Sequence, residues 1–209
     1  MAEEQDEQLM KKLIKHSVKL MFLLLALPFF LWLEINSLLR GKDRAFQAMS
    51  QLLSLIPGLL GTYLRAAFYR LACPGTSDRI SVGFLTVFSH RDTVIEAGVY
   101  IGPQCNIGKC VIGADTMLGS GVHILSGNKQ HSFAYTDTPM QQQGGVYQQV
   151  RIGKDCWLGN CAVVMASVAD HSIIAAASVV TKAIEQPHSI CAGNPAKVLK
   201  SRLSQPTAE

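Results

Sequence analysis

The sequence has little charge, few aromatic residues and no metal-binding cysteine pattern. Charged residues make up 16% of the chain and aromatic residues 7%, and no basic run is interleaved with aromatics, so a nucleic-acid-binding surface is not expected. The six cysteines form no C-x-x-C pair and have no His-x-x-His companion, which argues against a metal site. A disulfide scaffold is not expected either, because 209 residues with 48% apolar content can bury a core without cross-links.

The longest apolar run lies near the N-terminus, where residues 20–33 read LMFLLLALPFFLWL without a charge. These 14 residues fall short of the roughly 20 that a membrane-spanning helix needs. Pro28 is expected to remove a helix hydrogen bond and bend the segment. A secretory signal is not expected, because the chain starts with acidic residues and no Ala-x-Ala-like site follows Leu33. Basic residues flank the run on both sides, so charge selects no orientation.

Residues 1–75 are therefore expected to form a helical, membrane-associated region that contacts the bilayer through residues 18–71. A re-entrant or in-plane anchor would keep both basic flanks on the cytoplasmic side, and the alternative is a buried helix of a soluble domain. Residues 44–71 predict a second, more amphipathic helical stretch, broken at Pro57-Gly58. Its arginines and aromatics indicate an interfacial belt made of Tyr63, Arg65, Phe68, Tyr69 and Arg70.

Six-residue units repeat from Ile95 onward. They read IEAGVY, IGPQCN, IGKCV, IGADTM, LGSGVH and ILSGNK, and after an interruption IGKDCW, LGNCAV, VMAS, VADHSI and IAAASV. Each unit begins with an aliphatic residue that is predicted to point inward. The fifth position holds a small residue suited to a narrow interior: Val99, Cys105, Val111, Thr116, Val122, Cys156, Ala162, Ser172 and Ser178.

An amphipathic helix does not explain this repeat, because glycine recurs inside it and costs about 1 kcal/mol at each helix-interior position. Three units make one triangular turn, and stacked turns pair each short strand with the strands above and below it. The repeat therefore predicts a β-solenoid.

Together with the motifs DCWLGN, ASVVTK and AGNPAKV, the repeat makes residues 87–200 resemble the hexapeptide-repeat acyltransferases, in particular the maltose, galactoside, xenobiotic and polysaccharide O-acetyltransferases. The resemblance implies a mainly β fold, with a left-handed parallel β-helix over residues 76–203 and a tail over residues 204–209. It also implies acetyl-CoA as co-substrate and a homotrimer. An extended loop over residues 128–150 would reach from one subunit toward the next and carry the catalytic histidine.

His131 lies in this loop and is the expected catalytic base, with His123 and His90 as the other candidates. Histidine can remove a proton from a hydroxyl or amine near neutral pH, so transfer would be direct, without a serine or cysteine nucleophile. The acceptor is expected to contact Asn128, Tyr135, Asp137 and His90. By the same resemblance, the cofactor-binding residues would be Trp157, Gly159, Asn160, Ala176, Ala177, Thr181, Lys182 and Lys197.

The polar side chains of the loop suit a hydroxyl-rich acceptor. They include Gln141, Gln142, Gln143, Gln148, Gln149 and Tyr147. With the membrane-associated N-terminus, they predict O-acetylation of a sugar or lipid-linked sugar during surface polysaccharide assembly, at the cytoplasmic face of the bacterial inner membrane. Two alternatives remain open. One is an acetyltransferase for a small soluble amine or hydroxyl acceptor; the other is a β-helix scaffold or carbonic-anhydrase-like metalloenzyme that uses His90, His123 and His131.

Overall fold

The computed structural model describes residues 2–204, in which three helices precede a parallel β-helix. The helices are α1 (Ala2–Arg40), α2 (Lys42–Ser54) and α3 (Gly58–Ala72). The boundary predicted between residues 75 and 76 lies between α3 and the first strand. Of the tail predicted over residues 204–209, everything after Ser204 lies outside the described residues.

The strands stack into three parallel sheets, which form the three faces of a prism. The first sheet contains β1 (Ser81–Val82), β4 (Tyr100–Ile101), β7 (Met117–Leu118), β10 (Trp157–Leu158), β12 (Ile173–Ile174), β14 (Ser189–Gly193) and the antiparallel β15 (Ala196–Ser201). The second contains β2 (Val87–Phe88), β5 (Asn106–Ile107), β8 (His123–Ile124), β11 (Val163–Val164) and β13 (Val179–Val180). The third contains β3 (Val94–Ile95), β6 (Cys110–Ile112) and β9 (Val150–Ile152). This confirms the solenoid, while the left-handed crossover stays a prediction of the resemblance.

The interior of the prism is filled by the aliphatic residues that begin each unit. On the first sheet, Ile101, Leu118 and Leu158 stack in register and are fully buried. The small residues at the fifth positions are also buried, with one exception. Val111 is partly exposed, because its unit IGKCV is one residue short and Cys110 takes the inward position instead.

The first coil begins earlier than the repeat predicts. β1 and β2 precede Ile95, and Val82 and Phe88 are already fully buried. The segment VGFLTV, residues 82–87, has the six-residue pattern, with the buried Thr86 at its fifth position. The next segment, FSHRDTV, has seven residues and a charged centre, which hides the repeat.

The helices and the coils share one continuous core. α2 packs on β2 and α3 packs on β1, so the helices cover the open end of the first coil. The hydroxyl groups of Ser50 and Tyr69 lie 2.7 Å apart, and Ser50 also accepts the backbone N–H of Phe88 at 2.8 Å. A single polar contact thus links α2, α3 and β2 inside the core.

Arg65 is buried at the same junction. Its guanidinium donates to the carbonyl oxygens of Val82, Leu53 and Ile56 at 3.0, 3.1 and 2.7 Å. Burial lowers the pKa of Arg65, and three hydrogen bonds offset the cost of keeping the charge inside. The side chain therefore ties the end of α2 to α3 and to the first strand.

Two predictions about the helices are wrong. The interfacial belt does not form, because Arg65, Phe68 and Tyr69 are buried in the shared core. The predicted interruption at Pro28 is absent, since α1 runs as one helix through it. Proline removes one N–H donor, and the carbonyl that loses its partner belongs to Leu24, which is exposed. The break at Pro57-Gly58 is confirmed, because α2 ends before it and α3 begins at Gly58.

Helix α1 is apolar on the side that faces away from the protein. Phe22, Ala26 and Leu33 are its buried stripe, while Leu24, Trp32 and other large apolar residues are about half exposed. Among residues 2–204, the segment Glu7–Arg40 is long and apolar enough to cross a membrane, judged by length and composition. Only 17% of its most apolar window is buried, so α1 is not a core helix.

Candidate active site

The coil is interrupted between β8 and β9, where the chain leaves the second sheet as a long loop and returns on the third. Three backbone hydrogen bonds close the base of this loop: Gln148 to Ser126 at 2.9 Å, Val146 to Lys129 at 2.8 Å and Ser132 to Gly144 at 2.8 Å. His131 lies between the last two of these bonds, with an exposed side chain. The loop therefore presents an imidazole to solvent from a backbone that is held on both sides.

The tip of the loop is held by one glutamine. The side chain of Gln143 accepts the N–H of Tyr135 at 3.1 Å and donates to the carbonyl oxygens of Tyr135 and Thr138, both at 2.7 Å. Asp137 accepts a hydrogen bond from the Thr138 hydroxyl at 3.3 Å. The side chains of Tyr135 and Asp137 remain exposed, so both predicted acceptor-binding residues project from a fixed tip.

His90 lies at the base of the loop, on the corner that follows β2. Its Nδ1 is 2.8 Å from the Ser89 hydroxyl and 3.4 Å from the Ser126 hydroxyl. Its ring packs against the Tyr147 ring, with centroids 5.1 Å apart. These contacts join the first coil to both ends of the loop, so His90 supports the loop in this chain.

A cavity of about 350 Å³ lies on the same corner, between the loop and the turns after β11 and β13. Asn128, Ser167, Thr181 and Lys182 are among its lining residues. The Asn128 side-chain amide donates to the Thr181 carbonyl oxygen at 3.5 Å. The structure thus brings a predicted acceptor-binding residue together with two predicted cofactor-binding residues.

The remaining predicted cofactor-binding residues lie outside this cavity. Trp157 is 52% exposed on the outer face of the first sheet, in register with Met117. Gly159 is buried, and a Cβ there would overlap the backbone N–H of Ala176, so the turn needs glycine. Asn160 accepts the Ser120 N–H on its side chain at 3.0 Å, which links two coils.

Three further residues form exposed positions near the C-terminal coils. Ala176 and Ala177 lie at an exposed turn, and Ala177 has a φ of 56°. Lys197 lies on β15, opposite Ala192 of β14, with its side chain exposed. Because neither alanine carries a large side chain, a ligand can approach the backbone of this turn closely.

The buried thiols are unsuited to nucleophilic chemistry. Burial raises the pKa of Cys105 and Cys156, the two cysteines predicted to fill the interior, and it raises the pKa of Cys73 to about 12. A protonated, enclosed thiol is a poor nucleophile. Among the described residues, no three His, Cys, Asp or Glu side chains are grouped so that they could hold a metal ion.

Several residues that shape the site carry no distinctive sequence signal. Gln143 is one of three adjacent glutamines, and Ser126 belongs to an ordinary hexapeptide unit. Gly145 allows close approach of the two loop segments, because a Cβ there would overlap the Gln130 carbonyl oxygen. The Gly144-Gly145 pair is the one feature of the three that could have indicated a tight contact.

The fold and the site define a class: a parallel β-helix of hexapeptide coils, interrupted by a loop that presents a histidine. The bacterial transferase hexapeptide profile (six repeats) matches residues 92–126. The chain is 30% identical over 148 residues to a chloramphenicol acetyltransferase of Klebsiella aerogenes, across 61% of this chain and 70% of that protein. It is 35% identical over 121 residues to a probable macrolide acetyltransferase of Lysinibacillus sphaericus, across 53% and 67%.

A solved structure has the same fold. The maltose O-acetyltransferase of Clostridium difficile 630 superposes with a TM-score of 0.66 and 22% identity, across 77% of this chain and 86% of that one. With these similarities, the chain belongs to the hexapeptide-repeat acyltransferases. It is an enzyme of the acyltransferase class.

The close contact at Gly145 leads to a prediction about the loop. Gly145→Ala is expected to lower acyl transfer by about 100-fold, because displacement of residues 129–132 moves His131 by a fraction of its working distance. The melting temperature should change little, since the loop lies outside the coils. Gly144→Asn is the matched control: Gly144 has a φ of 77° with no neighbour within 4 Å, and asparagine tolerates that conformation. Equal activity of the Gly145→Ala variant and wild type would contradict the assigned role.

Proposed function

We propose that this enzyme transfers an acetyl group from acetyl-CoA to a hydroxyl of a sugar or lipid-linked sugar, with His131 as the general base. The carrying observation is the loop itself, which presents an exposed histidine and shares a cavity with Thr181 and Lys182 through Asn128. Asn128, Tyr135 and Asp137 would then contact the acceptor on the loop side.

In the proposed reaction, the His131 imidazole removes the hydroxyl proton while the hydroxyl oxygen attacks the thioester carbonyl carbon. Backbone N–H groups would stabilise the oxyanion of the tetrahedral intermediate. When the intermediate collapses, the C–S bond breaks and the protonated imidazole returns its proton to the CoA sulfur. The products are the acetyl ester and CoA, and the enzyme returns to its initial state.

The CoA chain would extend along the C-terminal coils. The acetyl end would lie near Trp157, Gly159 and Asn160, and the pantetheine arm near the open turn of Ala176 and Ala177. Thr181 and Lys182 would meet the arm on the corner side. Lys197 and Lys200 are exposed on β15 and would meet the phosphates of CoA, because ammonium groups bind phosphate as point charges.

We infer a homotrimer in which neighbouring β-helices complete the site. The outer face of the first sheet supports this assembly, since Tyr100, Met117 and Trp157 form an apolar row that is about half exposed. Light scattering in detergent, after correction for bound detergent, should give three times the 22.7 kDa of one chain.

The membrane association proposed for residues 18–71 rests on the exposed apolar side of α1. Because acetyl-CoA is a cytosolic metabolite, the enzyme would act at the cytoplasmic face of the bacterial inner membrane. A lipid-linked sugar in surface polysaccharide assembly is the acceptor class that fits this location.

A second candidate acceptor is a small soluble amine or hydroxyl compound. The names of the two relatives favour it, since they refer to chloramphenicol and macrolides. A membrane-facing helix would then serve only to locate the enzyme.

Calorimetric titration of the metal-stripped protein with acetyl-CoA, followed by CoA-release assays, tests the proposal. Sugars and undecaprenyl-linked sugars form one acceptor panel, and chloramphenicol, a macrolide and simple amines form the other. Binding with turnover on the first panel supports it, and turnover on the second alone selects the second candidate. Without acetyl-CoA binding, the acetyltransferase proposal fails.

A further inference from the structure

Both ends of the apolar stretch of α1 are tied to the same region of the β-helix. Lys19 pairs with Asp78 at 2.9 Å, and Glu34 pairs with Arg91 at 2.5 Å. The hydrogen bond from Lys19 lowers the pKa of Asp78, so this carboxylate stays charged at neutral pH. Between the two pairs α1 advances about 22 Å along its axis, at about 1.5 Å per residue.

These ion pairs are incompatible with a helix that crosses a bilayer. Lys19 and Glu34 would lie on opposite sides of the hydrocarbon layer, yet their partners both belong to the segment around the first coil. A crossing helix would draw that polar segment into the lipid, where charged groups are very costly. The geometry leaves α1 lying along the protein, with its apolar side outward in the plane of the membrane.

A groove of about 790 Å³ opens between the first half of α1, α3 and the chain before β1. Its floor is apolar and includes Leu20, Leu23 and the stacked rings of Phe22 and Tyr63. Its rim carries five basic residues: Lys15, His16, Lys19, Arg70 and Arg79. Asp78 is the one acidic residue among the lining residues, so the rim has an excess of positive charge.

We propose that this groove binds the phosphate-bearing headgroup of an anionic membrane lipid, whose acyl chains leave along the outward side of α1. The basic rim matches a phosphate, and the apolar floor continues into the exposed apolar residues of α1, which matches the chains. Neither a free phosphate nor a neutral lipid satisfies both parts of the groove. The inference rests on the proposed membrane association and adds a specific lipid site to it.

The test uses full-length protein and two matched double variants. Arg70→Gln/Arg79→Gln removes two cations from the rim, and Arg40→Gln/Lys42→Gln removes two cations from the exposed junction of α1 and α2. Binding is measured by calorimetry with dihexanoyl phosphatidylglycerol below its micelle concentration, and by flotation with phosphatidylcholine vesicles with and without phosphatidylglycerol. All four replaced residues are exposed, so thermal melts should match wild type.

We expect the groove variant to bind the short-chain lipid at least tenfold more weakly and the junction variant to stay within twofold of wild type. Equal weakening of both would show a diffuse electrostatic attraction and overturn the site. Competition by inorganic phosphate alone, at the affinity of the lipid, would assign the groove to a free anion and overturn the lipid assignment.

A third variant separates the groove from the membrane surface. Leu24→Asp/Trp32→Asp charges the outward side of α1 and should abolish flotation, while short-chain lipid binding persists. If wild type fails to float and instead forms a detergent-free soluble oligomer, a second copy covers this side of α1 and the inference fails. Acetyl transfer to a soluble acceptor is measured in parallel, so failure of the lipid site is distinguished from failure of the acetyltransferase itself.

Discussion

Replacing His131 with alanine is expected to lower kcat for acetyl transfer by about 100- to 10,000-fold, the contribution typical of a positioned general base. Acetyl-CoA binding should be unchanged, because His131 lies on the loop and the proposed CoA contacts lie on the coils and their corner. The measurements are CoA release under saturating acceptor and calorimetric titration of the same variant. His131 carries an exposed side chain, so its replacement should leave the melting temperature unchanged.

His123→Ala is the matched control for this experiment. His123 is also exposed and lies on β8, on the outer face of the coil that leads into the loop. Activity near wild type in this variant would exclude a general effect of histidine removal. Loss of activity in His123→Ala but not in His131→Ala would transfer the base to β8 and contradict the proposed mechanism.

Replacing Arg65 with methionine is expected to lower the free energy of unfolding by about 3–5 kcal/mol. The variant keeps much of the side-chain volume, but it leaves the carbonyl oxygens of Val82, Leu53 and Ile56 without the donor that Arg65 supplies. Since these carbonyls belong to α2, the α2–α3 turn and β1, the junction between helices and coils should loosen first. Denaturant unfolding in a fixed detergent, followed by circular dichroism, measures the change.

Arg70→Met provides the control, because Arg70 lies on the same helix with an exposed side chain. Its effect should stay within about 0.5 kcal/mol, as for most surface replacements. If both variants unfold at the same denaturant concentration, the buried hydrogen bonds of Arg65 do not stabilise the junction. Arg65→Lys should be intermediate, since one ammonium group cannot reach three carbonyls with the geometry of a guanidinium.

The β-helix was predictable because its repeat depends on local chemistry. An aliphatic residue such as Ile101 or Leu158 must point into a narrow interior, and this requirement recurs every six residues. Prediction failed where the spacing changed. At Val111 a missing residue shifted the inward position to Cys110, and at FSHRDTV an additional residue hid the first coil.

The helices were less predictable because their surroundings lie far away in sequence. An arginine beside aromatics has the same pattern at a membrane surface and in a core, and only the carbonyls of α2 and β1 make Arg65 a buried residue. Likewise, nothing near Lys19 or Glu34 in the sequence indicates Asp78 and Arg91 as partners.

The candidate site was predictable in its location and not in its support. An interruption of a regular repeat indicates a segment with another task, and His131 was its only histidine. The contacts of Gln143 and His90 could not be predicted, because they depend on how the loop folds back onto the corner. Trp157 lies on another sheet than the strand that leads into the loop, so a site that includes both is expected to need a neighbouring subunit.

The two ends of the solenoid are closed by different means, and this limits the length to which the protein can grow. A stack of coils exposes unpaired strand edges at both ends, and identical chains could add there without end, as they do in fibrils. Here α2 and α3 cover the first coil, and β15 runs antiparallel to β14 at the other end of the first sheet. A chain shortened at its N-terminus to the first strand would therefore lose its protection against end-to-end polymerisation as well as its helices.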